Sequence, residues 1–480
     1  MTTTHRLLAA TAMAWIGIQA CGFVSAAEES TGRVLRAGAA AADVTPPLGE
    51  MVVGGFIPFP AAKIHDKLYA RCLVLDDGST QIAFVICDSL GISREVFDQA
   101  RELIAKETKL PPANILMAAT HTHSSVRAAG KKYRPLLVRG IADAVRQALA
   151  HLEPAEIGWG GIDEPSEVFN RRWKVNDLEL VKNPFGGVDQ VRMNPPRGRP
   201  TLIQPAGPID PEISFFSVRA KNGRPIALLA NYSLHYVGGV NRGDVSADYF
   251  GVFSKRIAEL LDAQDSGPAF IGMISNGTSG DINNINFREK GTRRERYEKI
   301  NQVAELVAQR VKQAHAGVKF QSSVTLGTAR RELKLKVRKP DEKMQQYFAK
   351  ILAQPEDAPK HHRYERIYAA RVQRLLDGPD EITIPLQATR IGDLVIAASP
   401  FEVFAEIGLE IKKKTPFADC FIIELANDYR GYLPTPRQHA LGGYETWMGT
   451  NKVQLDASDR ITETILELMQ ELQANPVKKP

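Results

Sequence analysis

Cysteine is scarce in this chain of 480 residues, which carries only four, at positions 21, 72, 87 and 420. Cys21 lies in an N-terminal apolar segment. Without it three thiols remain, an odd number, so a disulfide framework does not organise the fold. Cys72 and Cys87 are expected on the two strands of a hairpin around Asp76–Ser79. There Cys72 would face a residue near Ala83 and both cysteines would serve as small core residues. A charge excess of one sign is also lacking. The 61 basic and 55 acidic side chains leave a formal +6, spread along the chain, too weak for a nucleic-acid footprint. Basic runs such as Arg293-Arg294 and Lys412–Lys414 read as solvated helix faces. Past the N-terminus no segment is long and apolar enough to span a bilayer. Also missing are the Gly-x-Ser-x-Gly elbow, the His-Glu-x-x-His helix, the phosphate-binding Gly-Lys-Ser/Thr loop and the Gly-x-Gly-x-x-Gly fingerprint. Serine-hydrolase, zincin, nucleotide and dinucleotide chemistries therefore lose ground.

What is present is globular, with 44% hydrophobic and 24% charged residues, enough chain to bury a large core. His5 and Arg6 precede an apolar run from Leu7 to Ala20, and Val24-Ser25-Ala26 follows. This is the pattern of a cleavable secretory signal over residues 1–26, directing the protein to the periplasm or the cell exterior. Lipid anchoring at Cys21 is disfavoured by Gln19, which fits poorly in a lipobox. With no repeat and no low-complexity linker, residues 27–480 read as a single domain.

Apolar spacing alternates between strand-like and helical periods, which predicts an α/β fold of mixed sheets with surrounding helices. Strands are expected at Leu68–Leu75, Gln81–Cys87, Asn114–Ala118, Phe215–Arg219, Pro225–Tyr232, Phe270–Ser275, Ser323–Val337, Ile382–Ala388, Leu394–Ala398 and Cys420–Leu425. Helices are expected at Ser93–Lys106, Leu136–Leu152, Tyr249–Asp262, Arg293–His315 and Ser458–Leu472, across Asp341–Leu376, and from near Val403. The segment from Val181 to Pro211 is too broken by Pro, Gly and Asn for regular structure. A loop of that length inside a domain suits a substrate cleft.

Three features could carry chemistry. Ala119-Thr120-His121-Thr122-His123 follows a predicted strand, and alternation on an extended backbone would send both imidazoles to one side, half of a metal site. A His-x-His pair alone also fits one buried and one surface imidazole. His235 lies just past the strand Pro225–Tyr232, where ligands gather in α/β proteins, although a lone histidine is commonly structural. The loop Asn276-Gly277-Thr278-Ser279-Gly280-Asp281-Ile282-Asn283 has glycines that let backbone amides approach a ligand; a tight polar turn is the plainer reading.

These segments, with Pro400-Phe401-Glu402 and Asn427-Asp428-Tyr429-Arg430-Gly431-Tyr432, run in the same order as in the neutral, alkaline-tolerant ceramidases. The chain resembles the catalytic domain of that family over nearly everything after the signal. The resemblance implies Zn2+ held by His121, His235, Glu402 and Tyr432, with His123 as acid/base. It further implies Tyr444, and Arg171 with Arg172 as a competing alignment, beside the oxyanion. Asn276, Gly280, Asp281 and Asn283 of the loop would contact substrate. Zinc-activated water would then attack an amide carbonyl, an N-acyl lipid such as ceramide being the substrate implied.

Two departures bear on the substrate. The ceramidase signature continues Gly-Asp-Val-Ser-Pro-Asn, whereas here Gly280-Asp281 is followed by Ile282-Asn283-Asn284, so Asn283 replaces the serine. The chain runs only a short way past the Ser458 helix and is expected to lack the C-terminal immunoglobulin-like domain of ceramidases. Hydrolysis of another amide or an ester, or non-catalytic binding of metal or lipid on the same fold, stand as alternatives; peripheral membrane contact accompanies the lipid reading.

Overall fold

The computed structural model describes residues 34–264 and 267–474; the expected signal segment lies outside the described residues. Eight strands form the larger sheet. They are β1 (Arg36–Asp43), β2 (Tyr69–Asp76), β3 (Gln81–Cys87), β4 (Ile115–Ala119), β5 (Glu153–Asp163), β6 (Glu212–Ala220), β7 (Pro225–Tyr232) and β8 (Ile271–Asn276). Their order is β8-β7-β6-β5-β1-β2-β3-β4. The outer pairs β7–β8 and β3–β4 are parallel, and the inner pairs are antiparallel. A smaller sheet is built from β9 (Leu326–Lys336), β10 (Glu381–Ile391), β11 (Leu394–Ala398) and β12 (Asp419–Ile423), in that order, with β11–β12 parallel. Both sheets are thus mixed and flanked by helices, as the alternating rhythm predicts.

Period-two burial sorts the side chains. In β2 and β3, Cys72, Val74, Ala83, Val85 and Cys87 pack under the helices Arg94–Glu107 and Tyr133–Ala150. Leu73, Leu75, Ile82, Phe84 and Ile86 point the other way, into a core shared with β9–β12. Each such buried side chain contributes about 1.5–3 kcal/mol. The larger sheet curls about this inner face. Phe84 of β3 and Phe216 of β6 lie 5.4 Å apart between ring centroids although three strands separate them in the order. Edge strand β8 also contacts β3 and β4. Twist of roughly 20–25° at each strand step accumulates over the sheet and brings the C-terminal ends of β4 and β8 towards each other. Helices Asp248–Leu260 and Glu298–His315 cover the β6–β8 side, and Ala405–Lys414 and Ala457–Ala474 cover the smaller sheet. Among the described residues no helix is long and apolar enough to cross a membrane.

Several expectations change in detail. Cys72 pairs with Val85, two positions beyond the expected register, because the turn is closed by Asp76 and Gln81. Both thiols are free and buried, and burial pushes their pKa values up. The stretch Asp341–Leu376 breaks into two helices, Glu342–Ala353 and Glu365–Asp377. Part of Val181–Pro211 is regular after all: Val191–Met193 and Leu202–Pro205 flank Arg172–Val175 as a small sheet. Strand β5 carries no alternating signal because it contains Gly158, Gly160 and Gly161. Gly158 is needed for close approach, since a Cβ there would sit 2.4 Å from Val318 Cγ1 and 2.7 Å from the Lys319 carbonyl. Gly158→Ala should therefore lower the unfolding free energy by about 1–3 kcal/mol. Urea denaturation checks this, and an unchanged midpoint would contradict the close contact.

Candidate metal centre

The chemically distinctive side chains hang from the C-terminal ends of the three parallel strand pairs. His121 follows β4, His235 follows β7, Glu402 follows β11, and Tyr429 and Tyr432 follow β12. Parallel pairs release their chains on the same side, and crevices beyond such ends are where α/β sheets bind ligands. Hydrogen bonds weld the exits together. Glu424 N–H donates to the Asn276 carbonyl (3.2 Å), and Asn427 N–H to that of Met117 (2.7 Å). The histidines do not converge by strand alternation. His121 sits past the end of β4 in a left-handed conformation, φ 75°, a state that costs a non-glycine residue on the order of 1 kcal/mol. That turn, rather than an extended backbone, points its ring at its neighbours.

Three imidazoles meet there. His121 Nε2 lies 3.0 Å from His235 Nε2 and 3.1 Å from His123 Nε2. His121 Nδ1 is 2.6 Å from the Leu90 carbonyl, and His235 Nδ1 is 3.0 Å from that of Ser279. A carbonyl only accepts, so both Nδ1 atoms carry the proton and both Nε2 atoms present lone pairs. Two lone pairs held face to face call for a cation. Glu402 supplies a third donor: its Oε2 is buried, lacks a hydrogen-bond partner, and lies 3.5 Å and 3.7 Å from the two Nε2 atoms. Its other oxygen accepts from the Tyr429 hydroxyl at 2.7 Å. Tyr432 stands beside Glu402 because the two-residue strands Glu402–Val403 and Tyr432–Leu433 pair in parallel. The Tyr432 hydroxyl accepts from Arg171 Nη2 at 3.0 Å. Imidazoles, an orphaned carboxylate oxygen and a phenol fit a borderline divalent ion. The three histidines alone also form a group able to hold one, with ligand atoms within 4.8 Å of each other.

Electrostatics favour the neutral imidazole. Burial first, then His121 and Arg171, hold His235 and His123 well below the ordinary value of 6.5. Burial raises the Tyr432 phenol, opposed by the Arg171 guanidinium. Despite burial, the Glu402 carboxyl is lowered by His121 and by the Tyr432 and Tyr429 hydroxyls. A cavity of about 370 Å³ opens over the cluster, lined by His121, His123, Glu402, Tyr432, Tyr444 and Arg171 among others. His123 is the least buried of the three histidines, and its ring stacks on Tyr236 at 3.6 Å. Arg171 also donates to Glu445 (2.9 Å) and to the Gly280 carbonyl (2.9 Å). Arg172 is fully buried behind it on Glu445 (2.7 Å) and Gly442 (2.6 Å). Of the two arginines, only Arg171 reaches the cavity.

Residues 35–299, more than half of the chain, match the family described as neutral/alkaline non-lysosomal ceramidase, N-terminal. The chain belongs to that family. Among solved structures it is similar to neutral ceramidase from Pseudomonas aeruginosa, with a TM-score of 0.70 and 17% identity over 93% of this chain and 76% of that one. A structure described as ceramidase complexed with C2 gives 0.69 and 18% over the same shares. No curated protein sequence matches the chain. At these identities the structural likeness speaks for the fold, a ceramidase fold; the family makes the chain a hydrolase.

The loop that carries the departure from the ceramidase signature lies behind the ligands. Asn276, Gly280, Asp281 and Asn283, expected to touch substrate, are absent from the cavity lining. Gly280 packs against the strand that carries Glu402: its N–H donates to the Val403 carbonyl (2.8 Å), and a Cβ would meet the Glu402 carbonyl at 2.4 Å. Asp281 accepts from Ala405 N–H (2.9 Å) and Asn170 (2.7 Å), and burial raises it to about 6. Asn283, in the serine's place, donates to Asn194 at 2.7 Å, and Asn194 does line the cavity. Asn276 is wholly buried, with no partner for its amide. Sequence reasoning missed Tyr429, Tyr236 and Glu424. Glu424 accepts from the Ser279 hydroxyl (2.7 Å) and Val403 N–H (2.7 Å), tying the His235 support to the Glu402 strand, and burial raises its pKa well above the ordinary value. No local pattern marks Tyr236 or Glu424, and Tyr429 stands inside the Asn427–Tyr432 segment without a role implied for it.

Outer partners of ligands are worth about 10–100-fold in metal affinity, and Tyr429→Phe should weaken binding by that order, read by chelator competition; unaltered affinity would remove Tyr429 from the site. A second test concerns acid. A histidine with a depressed folded pKa leaves the folded state with fewer protons, so stability is kept above the unfolded value near 6.5 and lost as pH falls below it. Chelator-treated protein should lose up to about 1.4 kcal/mol per pH unit through His235 below that point. Urea denaturation at pH 7.5 and 5.5 should show a smaller loss for His235→Gln.

Proposed function

We propose that the protein is a zinc-dependent amidohydrolase that cleaves the amide bond of an N-acyl lipid of the ceramide type. The observation that carries this reading is the convergence of two outward-facing Nε2 lone pairs and an unpartnered Glu402 oxygen at the floor of a cavity. His121, His235, Glu402 and Tyr432 would hold the ion. Zinc in such a set supplies Lewis acidity and lowers the pKa of water towards neutrality.

The chain's own groups account for the remaining steps. His123 faces the cavity and stays neutral at pH 7, ready to accept the proton of the attacking water at a ring nitrogen and return it to the departing amine. Arg171, held by Glu445 and Gly280, and the Tyr444 hydroxyl side of the cavity would balance charge developing on the carbonyl oxygen. Water and amide then leave as carboxylic acid and amine. Phe56 and Met193 give the cavity apolar wall for an acyl chain. Export through residues 1–26, with lipid met at a membrane surface, belongs to the same proposal.

Purified protein should contain stoichiometric zinc that is lost in His121→Ala and His235→Ala. His123→Ala should keep the metal and lower kcat on N-acyl amides by about 10²–10⁴-fold. A wild-type protein that takes up no metal, or a metal-loaded one that turns over no amide or ester in a panel of N-acyl lipids, would sink the reading.

A further inference from the structure

A second cavity, of about 400 Å³, adjoins the first, and Tyr429, Tyr432, Tyr444 and Arg371 line both. Its remaining wall is strongly basic. Arg371 and Arg374 come from one turn of the helix Glu365–Asp377, and Lys452 comes from the segment after Gly449. Among the described residues none of these three cations has a carboxylate within 4.0 Å, whereas Arg94, Arg139, Arg171, Arg256, Arg430 and Arg437 each have one. Arg371 is instead braced by neutral groups. It donates to the Tyr368 hydroxyl (3.2 Å) and the Thr450 hydroxyl (3.4 Å), and its guanidinium lies over the Tyr368 and Phe56 rings at 5.0 Å and 5.5 Å. Lys452 is exposed on the cavity wall, yet crowding by protein and the charges of Arg430, Arg371 and Arg374 lower its pKa.

Three like charges gathered without a counter-ion repel one another, and that repulsion is relieved when an anion enters. Guanidinium pairs match the planar fork of a carboxylate, and tyrosine hydroxyls add donors around it. Glu402, at the floor of the adjoining cavity, is directed at the imidazoles and Tyr429 and is not free to neutralise the wall.

We propose that the preferred substrate carries a carboxylate close to its scissile amide, as an N-acyl amino acid does, and that Arg371, Arg374 and Lys452 receive that carboxylate. The inference rests on the amide-hydrolase part of the proposed function and puts an N-acyl amino acid in place of a ceramide as the preferred substrate. Arg374 and Lys452 determine specificity from outside the reaction cavity; Arg371 touches both cavities.

The test compares N-lauroylglycine with N-lauroylethanolamine, matched in acyl chain and differing in charge, on zinc-loaded wild type and on the Arg374→Gln/Lys452→Gln double variant. A charge-assisted contact predicts that wild type favours the anionic amide in kcat/KM by about tenfold or more, with the ratio collapsing towards one in the variant and in high salt. Equal turnover of the two amides by wild type, or a ratio that survives the double substitution, overturns the inference while leaving hydrolysis intact. Calorimetric binding to His123→Ala separates the two readings. If neither amide is hydrolysed but N-lauroylglycine still binds more tightly, and loses that advantage with Arg374→Gln/Lys452→Gln, the anion site stands and the hydrolase reading falls.

Discussion

Two carbonyl oxygens decide what this molecule can hold. By accepting the Nδ1 protons of His121 and His235, the backbone at Leu90 and Ser279 leaves two Nε2 lone pairs 3.0 Å apart. Neither ring can turn away without abandoning a buried hydrogen bond, which would cost about 1–3 kcal/mol. The clash is tolerable only where a positive charge sits between the rings. Much of the surrounding structure serves this one constraint. The left-handed turn at His121 aims its ring, the Ser279–Glu424–Val403 bonds lock the His235 support to the Glu402 strand, and Tyr429 orients the carboxylate.

The ligands come from distant parts of the sequence, and the curled sheet explains how they meet. A flat sheet of this order would leave β4 and β8 at opposite edges. Curling around the Phe84–Phe216 core instead brings β8 against β3 and β4, and the smaller sheet closes the remaining side with β11 and β12. The site is therefore a product of global packing, and strain at His121 is sustained by the buried layers beneath it.

Legibility followed the physics of each element. Strands β2 and β3 were readable because their two faces meet different apolar cores and both are filled. Strand β5 was not, since its glycines answer to the close approach of Val318 and Lys319 and leave no pattern. His121 and His235 could be suspected from their places after strands; Glu402 and Tyr432, 30 positions apart and paired through two-residue strands, were visible only through the family resemblance. The glycine-rich loop was expected at the substrate and lies behind the ligands. Its glycines mark a different close approach, that of Gly280 to the Glu402 backbone. Tyr429 acts through one hydrogen bond and Glu424 through bonds to Ser279 and Val403 across the fold, which no spacing rule encodes.

The concentration of chemistry at one end of the parallel strands frees the other end. The Lys221–Gly223 turn between β6 and β7 closes on itself, Gly223 N–H donating to the Ala220 carbonyl at 2.9 Å, and projects into solvent at the end of β7 remote from His235. Such a turn can lengthen with little entropic penalty, since loop closure varies only slowly with length. Lineages of this fold can thus acquire appendages there, and a fused tag or surface tether can be placed there, with the metal-binding geometry left to the opposite rim.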